Sequence, residues 1–406
     1  MNQINTGIIS FSVVTANNAL FAFAINIITA LFILDNTAFG VFSFWLAVMQ
    51  IFSVIITFGY TGLLLKLKRE KFFFDNDIFK NSYYSSACIG TFLFSSLIIL
   101  LIILGKMSEM LFVVAFIPYV FSEVVRNYLI NNYLMENKFS KIVSLSLLVQ
   151  ILRIMMVFLI LLFIDNISIL YFISLISIAS LLGILFYFEN PINSIKKILL
   201  SDKRFIANSM SLSIFIAEVN YIIRLKLPII FTGFFFPGEL PEMALASIFL
   251  TLFTMPIGIF RSAITHYLYS NVESNYRLLG LFLSSLFILL VIMILLFLLI
   301  NYYQPIIISL LGKEFIGPYE ILNNLKYFLF LMCVTGVLST FLKFFDAEPV
   351  TARLNLIAMA LFLLIGSTIQ LYLDNNLVIE IMTALELTMV FYLFFLFARR
   401  IRHRNS

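Results

Sequence analysis

Six basic side chains, Arg126, Arg153, Arg224, Lys226, Arg261 and Lys326, fall inside stretches of the 406-residue chain that are otherwise apolar enough to lie in a lipid bilayer. A cation at the centre of a membrane helix costs about 2.5–3.5 kcal/mol on insertion scales, so it normally faces a partner or a wet cavity. The acids in the same stretches are Glu123, Glu218 and Glu386, which leaves three positive charges in excess. Two chemistries fit such residues. Arginine recognises anions, because its planar fork donates two hydrogen bonds at once to a phosphate or carboxylate. Alternatively the side chains pair with one another or with backbone carbonyls and act as interhelical glue. Pairing explains any one of them, but the excess asks for another counter-ion and points to an anionic cargo.

The spacing of these groups sharpens the expectation. Arg153 lies near the midpoint of the apolar run from Ile142 to Ile164, too deep to snorkel easily, with Gln150 one turn earlier on the same face. Glu123 and Arg126 are three residues apart and able to pair on one helix face; Asn127, Asn131 and Asn132 extend that polarity. Asn220 and Arg224 are four apart, hence on one face, whereas Lys226 points elsewhere and lies close enough to the end of its run to reach the interface. Pro228 has no N–H to give the carbonyl of Arg224, so a kink is expected there. Irregular backbone at membrane depth survives only against protein or water, which suits a cavity wall. Arg153, Arg224, Arg126, Arg261, Lys226 and Asn220 are therefore the candidate substrate-binding set. Glu218 and Glu123 are the candidate sites for a coupling proton or sodium ion. No catalytic group or metal ligand is expected: there are only two histidines, His266 and His403, and the two cysteines, Cys88 and Cys333, both lie in apolar runs.

The elements that must position these residues are membrane helices. With 62% hydrophobic and only 12% charged residues, the chain is far from the roughly 25% charge of soluble domains, and apolar runs of about 20 residues recur from end to end. Splitting at polar and Pro/Gly punctuation gives twelve spans. The first six are Ile8–Leu34, Phe39–Leu65, Tyr83–Leu104, Met110–Leu134, Ile142–Ile164 and Ile167–Phe188. The second six are Ala207–Phe231, Met243–Leu268, Leu278–Tyr303, Leu322–Phe345, Val350–Leu373 and Leu377–Ala398. Basic residues test the count, since a missed helix would scramble their alternation. Eighteen of the 26 fall on one side, among them Lys66, Lys68 and Arg69, Lys196 and Lys197, and the tail Arg399, Arg400, Arg402 and Arg404; the opposite loops hold only Lys106 and Lys313. Both termini are accordingly expected in the cytoplasm. The net charge of +5 thus reports topology and not a nucleic-acid partner. No signal peptide is expected, because MNQINTGIIS lacks a basic n-region.

Between the sixth and seventh spans, PINSIKKILLSDKRF places Ile192, Ile195, Ile198 and Leu199 opposite its lysines, the pattern of an interfacial helix on anionic lipid. The expected organisation is an N-terminal lobe over 1–189, this linker over 190–206, and a C-terminal lobe over 207–406 ending in the basic tail.

Three stretches resemble the polysaccharide branch of the multidrug/oligosaccharidyl-lipid/polysaccharide transporter superfamily, and within it the bacterial O-antigen flippases. TAFGVFSFWLAVMQIFSVIITFGYTGLL from Thr37 is similar to the family's second helix, and LTLFTMPIGIFRSAITHYLY from Leu250 to its eighth. IISLLGKEFIGPYEIL from Ile307 is similar to the turn after the ninth, where Gly312, Glu314 and Phe315 stand in a Gly-x-Glu-aromatic pattern. PGELPEMALAS departs from the Gly-x-Tyr that members often show before helix eight. The resemblance implies an all-α, MATE-like membrane protein of two six-helix lobes around a central cavity. It implies alternating access that moves undecaprenyl-pyrophosphate-linked oligosaccharide from the cytoplasmic to the periplasmic leaflet of the bacterial inner membrane. Partners would be that lipid, the bilayer and other polysaccharide-assembly proteins; the protein would not be an enzyme. Two rivals stand beside it. An O-antigen polymerase would need a large periplasmic loop, and the longest here, Gln304–Ile321, has about eighteen residues, an ordinary long loop. A cation-coupled multidrug exporter of the same fold would want an acid-lined cavity, the opposite sign to this interior.

Overall fold

Backbone polar groups in hydrocarbon find no water, so a chain this apolar must satisfy them internally, and helices do so within one segment. The computed structural model describes residues 2–57, 76–135, 138–164, 167–187, 209–250, 260, 264, 275–311, 316–344, 348–369 and 375–405. Among the described residues the regular structure is helical throughout, and the helices fall on the twelve expected apolar runs. They are α1 (Asn2–Ile28), α2 (Asn36–Thr57), α3 (Asn76–Ile103), α4 (Met107–Met135), α5 (Phe139–Phe163) and α6 (Ile169–Tyr187). There follow α7 (Ser209–Phe235), α8 (described over 240–250), α9 (Asn275–Leu311), α10 (Ile316–Phe344), α11 (Glu348–Ile369) and α12 (Asn375–Asn405). Among the described residues, eight helical segments are long and apolar enough to cross a membrane, with α5 and the middle of α9 the most apolar. The interfacial linker and the Gly312–Phe315 turn lie outside the described residues, as does most of the stretch from Leu250.

Local signals explain several boundaries. Asp35 caps α2, its Oδ1 accepting the Ala38 N–H at 2.7 Å. Gly105 ends α3 at φ 70°. From that left-handed position its N–H reaches Ile102 O at 3.0 Å and the Lys106 N–H reaches Leu101 O at 2.9 Å, which satisfies two carbonyls that the helix end would orphan. α1 closes in a π turn, Thr29–Ile33, where the Leu34 N–H bonds Thr29 O at 2.9 Å. Pro228 lies inside α7, whose helical span is uninterrupted. α12 carries Arg399 and Arg400 as a continuing helix past the apolar run.

The chain divides into two compact units. One comprises residues 24–226 and takes in α2 to α6 with the end of α1 and the start of α7. In it α6 packs against both α4 and α5, and α2 packs against α4. Phe42 of α2 ties three helices together, with ring centroids 6.2 Å from Phe116 of α4 and 5.3 Å from Phe172 of α6. The other comprises 1–23 and 227–406. Its core is an apolar cluster of Phe282 and Leu289 (α9), Val337, Leu338 and Phe341 (α10), and Leu393 and Phe397 (α12). α10 and α12 form its closest helix pair. Exposed faces carry large apolar side chains, such as Phe287 and Leu295 on α9, as expected where the solvent is lipid.

Candidate functional site

The N-terminal unit buries a charged cluster built from four helices. α4 contributes Tyr119, Glu123 and Arg126 on one face, at the i, i+4 and i+3 spacings that bring helical side chains together. α5 adds Arg153 and α6 adds Ser180. Glu123 is the hub: its Oε2 accepts Arg126 Nη2 at 2.5 Å, and its Oε1 accepts Arg153 Nη2 at 2.5 Å. Arg153 has two further partners. Its Nε donates to Ser180 Oγ at 2.7 Å, and its guanidinium carbon stands 5.0 Å from the centroid of the Tyr119 ring, a cation–π contact. α2 reaches the same place through Gln50, whose Nε2 donates to the Tyr119 hydroxyl at 3.4 Å. Glu123 and Arg153 are buried, at 8% and 7% exposure.

Arg126 differs from Arg153. Its Nε and Nη1 are buried yet make no hydrogen bond among the described residues. Those two nitrogens carry three of the five N–H donors of a guanidinium. Among the described residues the cluster therefore holds two guanidiniums and one carboxylate, and the side of Arg126 away from Glu123 meets no acceptor there.

The remaining sequence candidates divide as follows. Asn220 and Arg224 are buried on α7, one helical turn apart, and the Asn220 Nδ2 makes no hydrogen bond. Lys226, two residues on, is half-buried. Among the described residues no hydrogen bond or ion pair joins Asn220 or Lys226 to the Glu123 cluster. Glu218 has its backbone in α7, and its side chain lies outside the described residues, as does the whole of Arg261. Each oxygen of Glu123 accepts from a guanidinium, so a coupling ion there would share the carboxylate with the two arginines. In the C-terminal unit the buried acid Glu386 of α12 lies against Thr335 of α10, whose hydroxyl is 2.5 Å from Oε1. Lys326 of α10 donates to Asn323 Oδ1 at 2.5 Å and lies 5.9 Å and 5.2 Å from the ring centroids of Phe297 and Tyr327, so its charge is met locally.

Sequence reasoning missed Tyr119, Ser180 and Gln50. A tyrosine four residues before Glu123 was the one readable sign, because that spacing stacks it on the acid. Ser180 carries none: it sits in an apolar helix with Ser174 and Ser177, and only packing shows which of the three meets Arg153.

No family model matches the sequence, and no curated protein matches it. Solved structures do resemble it in shape. A MATE transporter point mutant aligns at a TM-score of 0.67 and 12% identity, covering 100% of this chain and 97% of its own. A MOP superfamily transporter from Pyrococcus furiosus, described as having a binding pocket of reversed polarity that suggests a different function, aligns at 0.64 and 13%, covering 100% and 96%. The inward-facing form of a multidrug resistance MATE transporter aligns at 0.64 and 14%, covering 96% and 95%. At these identities the likeness speaks for architecture alone: over nearly its full length, this chain has the fold of the MATE transporters of the MOP superfamily.

Proposed function

We propose that the protein is a membrane transporter whose cargo is an anionic amphiphile, an undecaprenyl-pyrophosphate-linked oligosaccharide carried from the cytoplasmic to the periplasmic leaflet of a bacterial inner membrane, with both termini in the cytoplasm. The observation that carries this reading is the single carboxylate shared by two arginines, the buried Arg153 and the half-buried Arg126. Desolvating a diphosphate alone is prohibitive, and a cationic environment offsets that cost. A built-in excess of positive charge at membrane depth is therefore useful to a protein that takes in an anion and is a liability to one that takes in a cation. Arg224 and Lys226 on α7 add charge of the same sign. The transporter fold supplies the other half of the argument: alternating access lets a polar head cross while the polyprenyl tail stays in lipid.

The second reading, a cation-coupled multidrug exporter, draws on the same fold and on Glu386, a buried acid in the C-terminal unit. One experiment separates the two. The purified protein is reconstituted in vesicles loaded with a fluorescent lipid-linked oligosaccharide, and the label is read with a membrane-impermeant quencher. Parallel vesicles carry a cationic dye under a proton or sodium gradient. Leaflet exchange of the lipid without dye movement is the expected result. Dye expulsion with a static lipid would replace the flippase reading by the exporter.

A further inference from the structure

We propose that Arg126 is the group that grips the phosphate-type oxyanion of the cargo, and that Glu123 and Arg153 are positioning residues that hold it in place. The inference rests on the transport reading above and assigns roles within its cluster. Arg153 donates from Nε to Ser180 and from Nη2 to Glu123, on two different helices, and has its face against Tyr119. Arg126 presents the opposite case. One nitrogen, Nη2, anchors it to Glu123, while Nε and Nη1 are buried and make no hydrogen bond among the described residues. Buried donors without acceptors are expensive and rare in native structures. Three N–H groups on one planar fork match an oxyanion with several oxygens, and a guanidinium delivers them in fixed geometry where an ammonium could not.

Glu123 explains why Arg126 is held so. A carboxylate that served Arg126 alone would neutralise it; divided between two guanidiniums, it fixes the direction of Arg126 and leaves the cluster one positive charge in excess. The asymmetry of the two arginines is also physical. Arg153 is tied to helices α4 and α6 from α5, so moving it would disturb three helices. Arg126 pairs only within α4, three residues from its acid, and keeps a side-chain exposure of 12%. The residue fitted to contact a transient anion is the one whose motion disturbs least.

The test uses the full-length protein in nanodiscs and two probes, a short-chain polyprenyl diphosphate and inorganic pyrophosphate, with the corresponding polyprenol as the phosphate-free control. Arg126→Lys keeps the charge and the pair with Glu123 but loses the fork. It should weaken polyprenyl diphosphate binding at least tenfold with little change in thermal stability. Arg153→Lys should do the reverse, lowering the melting temperature while the dissociation constant rises less than threefold. In the unmutated protein, the diphosphate should protect Arg126 from the guanidine reagent phenylglyoxal, read by mass spectrometry, and this arm stands even if a variant misfolds. Binding of inorganic pyrophosphate as tight as the lipid also supports the anion contact and makes the site one for the headgroup alone. Wild-type affinity in Arg126→Lys, or no protection of Arg126, would overturn the assignment. Normal leaflet exchange in Arg126→Lys would sink this inference and leave the transport reading standing. A wild-type protein that moves no lipid-linked oligosaccharide yet is protected by pyrophosphate would do the opposite.

Discussion

The two compact units solve the same problem, packing helices in a solvent as apolar as their own side chains, in different ways. The C-terminal unit relies mainly on shape: Phe282, Phe341 and Phe397 pack edge-on or tilted within 4.3–5.9 Å of one another around α9, α10 and α12, with a polar contact between α10 and α12, from Thr335 to Glu386. The N-terminal unit uses aromatic packing as well, around Phe42, but adds the Glu123 cluster, which joins α4, α5 and α6 by charge-assisted hydrogen bonds. Apolar packing in lipid gains only van der Waals contact, and a polar network fixes partners more specifically. The contrast teaches that the polar device is the more demanding of the two: every donor in it must find an acceptor, and among the described residues those on Arg126 Nε and Nη1 do not.

The comparison can be broken at its hub. Glu123→Ala should cost about 3–5 kcal/mol, because it strips two buried guanidiniums of their carboxylate at once. Glu386→Ala, which removes an acid held by a threonine hydroxyl, should cost about 1–3 kcal/mol. Chemical denaturation in micelles measures both, and a reversed order would mean that the N-terminal cluster is not what holds its helices. On the apolar side, Phe341→Ala should lose about 3 kcal/mol by opening a cavity among three rings, with no effect on anion binding. Ser180→Ala leaves Arg153 Nε without its acceptor and should cost about 1.5–3 kcal/mol by the same denaturation assay, since the bond is to a charged group.

The smallest effects come from backbone approach, and here the units should differ in sign. A Cβ on Gly183 would stand 2.9 Å from Val149 Cα and 3.0 Å from its Cγ2, so α5 and α6 would have to separate. Gly183→Ala is expected to destabilise by about 1–3 kcal/mol. Gly280 on α9 has nothing within 4 Å of the same construction, and Gly280→Ala should gain about 0.5–1 kcal/mol from helix propensity alone. Melting temperatures of the two variants, read side by side, check the pair.

Much of the architecture was legible because membrane helices announce themselves locally. The run from Ile142 to Ile164 is apolar at nearly every position, and α5 occupies Phe139–Phe163. The pairing of Glu123 with Arg126 was readable for the same reason, since two residues three apart on a helix are neighbours whatever surrounds them. The second claim on Glu123 was not, because Arg153 lies thirty residues away on another helix. Nor was the grouping by contact of residues 1–23 with the C-terminal unit and of 209–226 with the N-terminal one. Contacts are made by faces, and a helix can present its two halves to different neighbours.

The sequence by itself determined that the chain spans a bilayer as helices, how many apolar runs it has, and that those runs carry more basic than acidic side chains, because length, periodicity and the price of desolvation act on each segment separately. Only the tertiary structure decided which arginine is spent on holding helices together and which keeps donors to offer. That choice depends on distances between residues of different helices, and no property of one segment contains them.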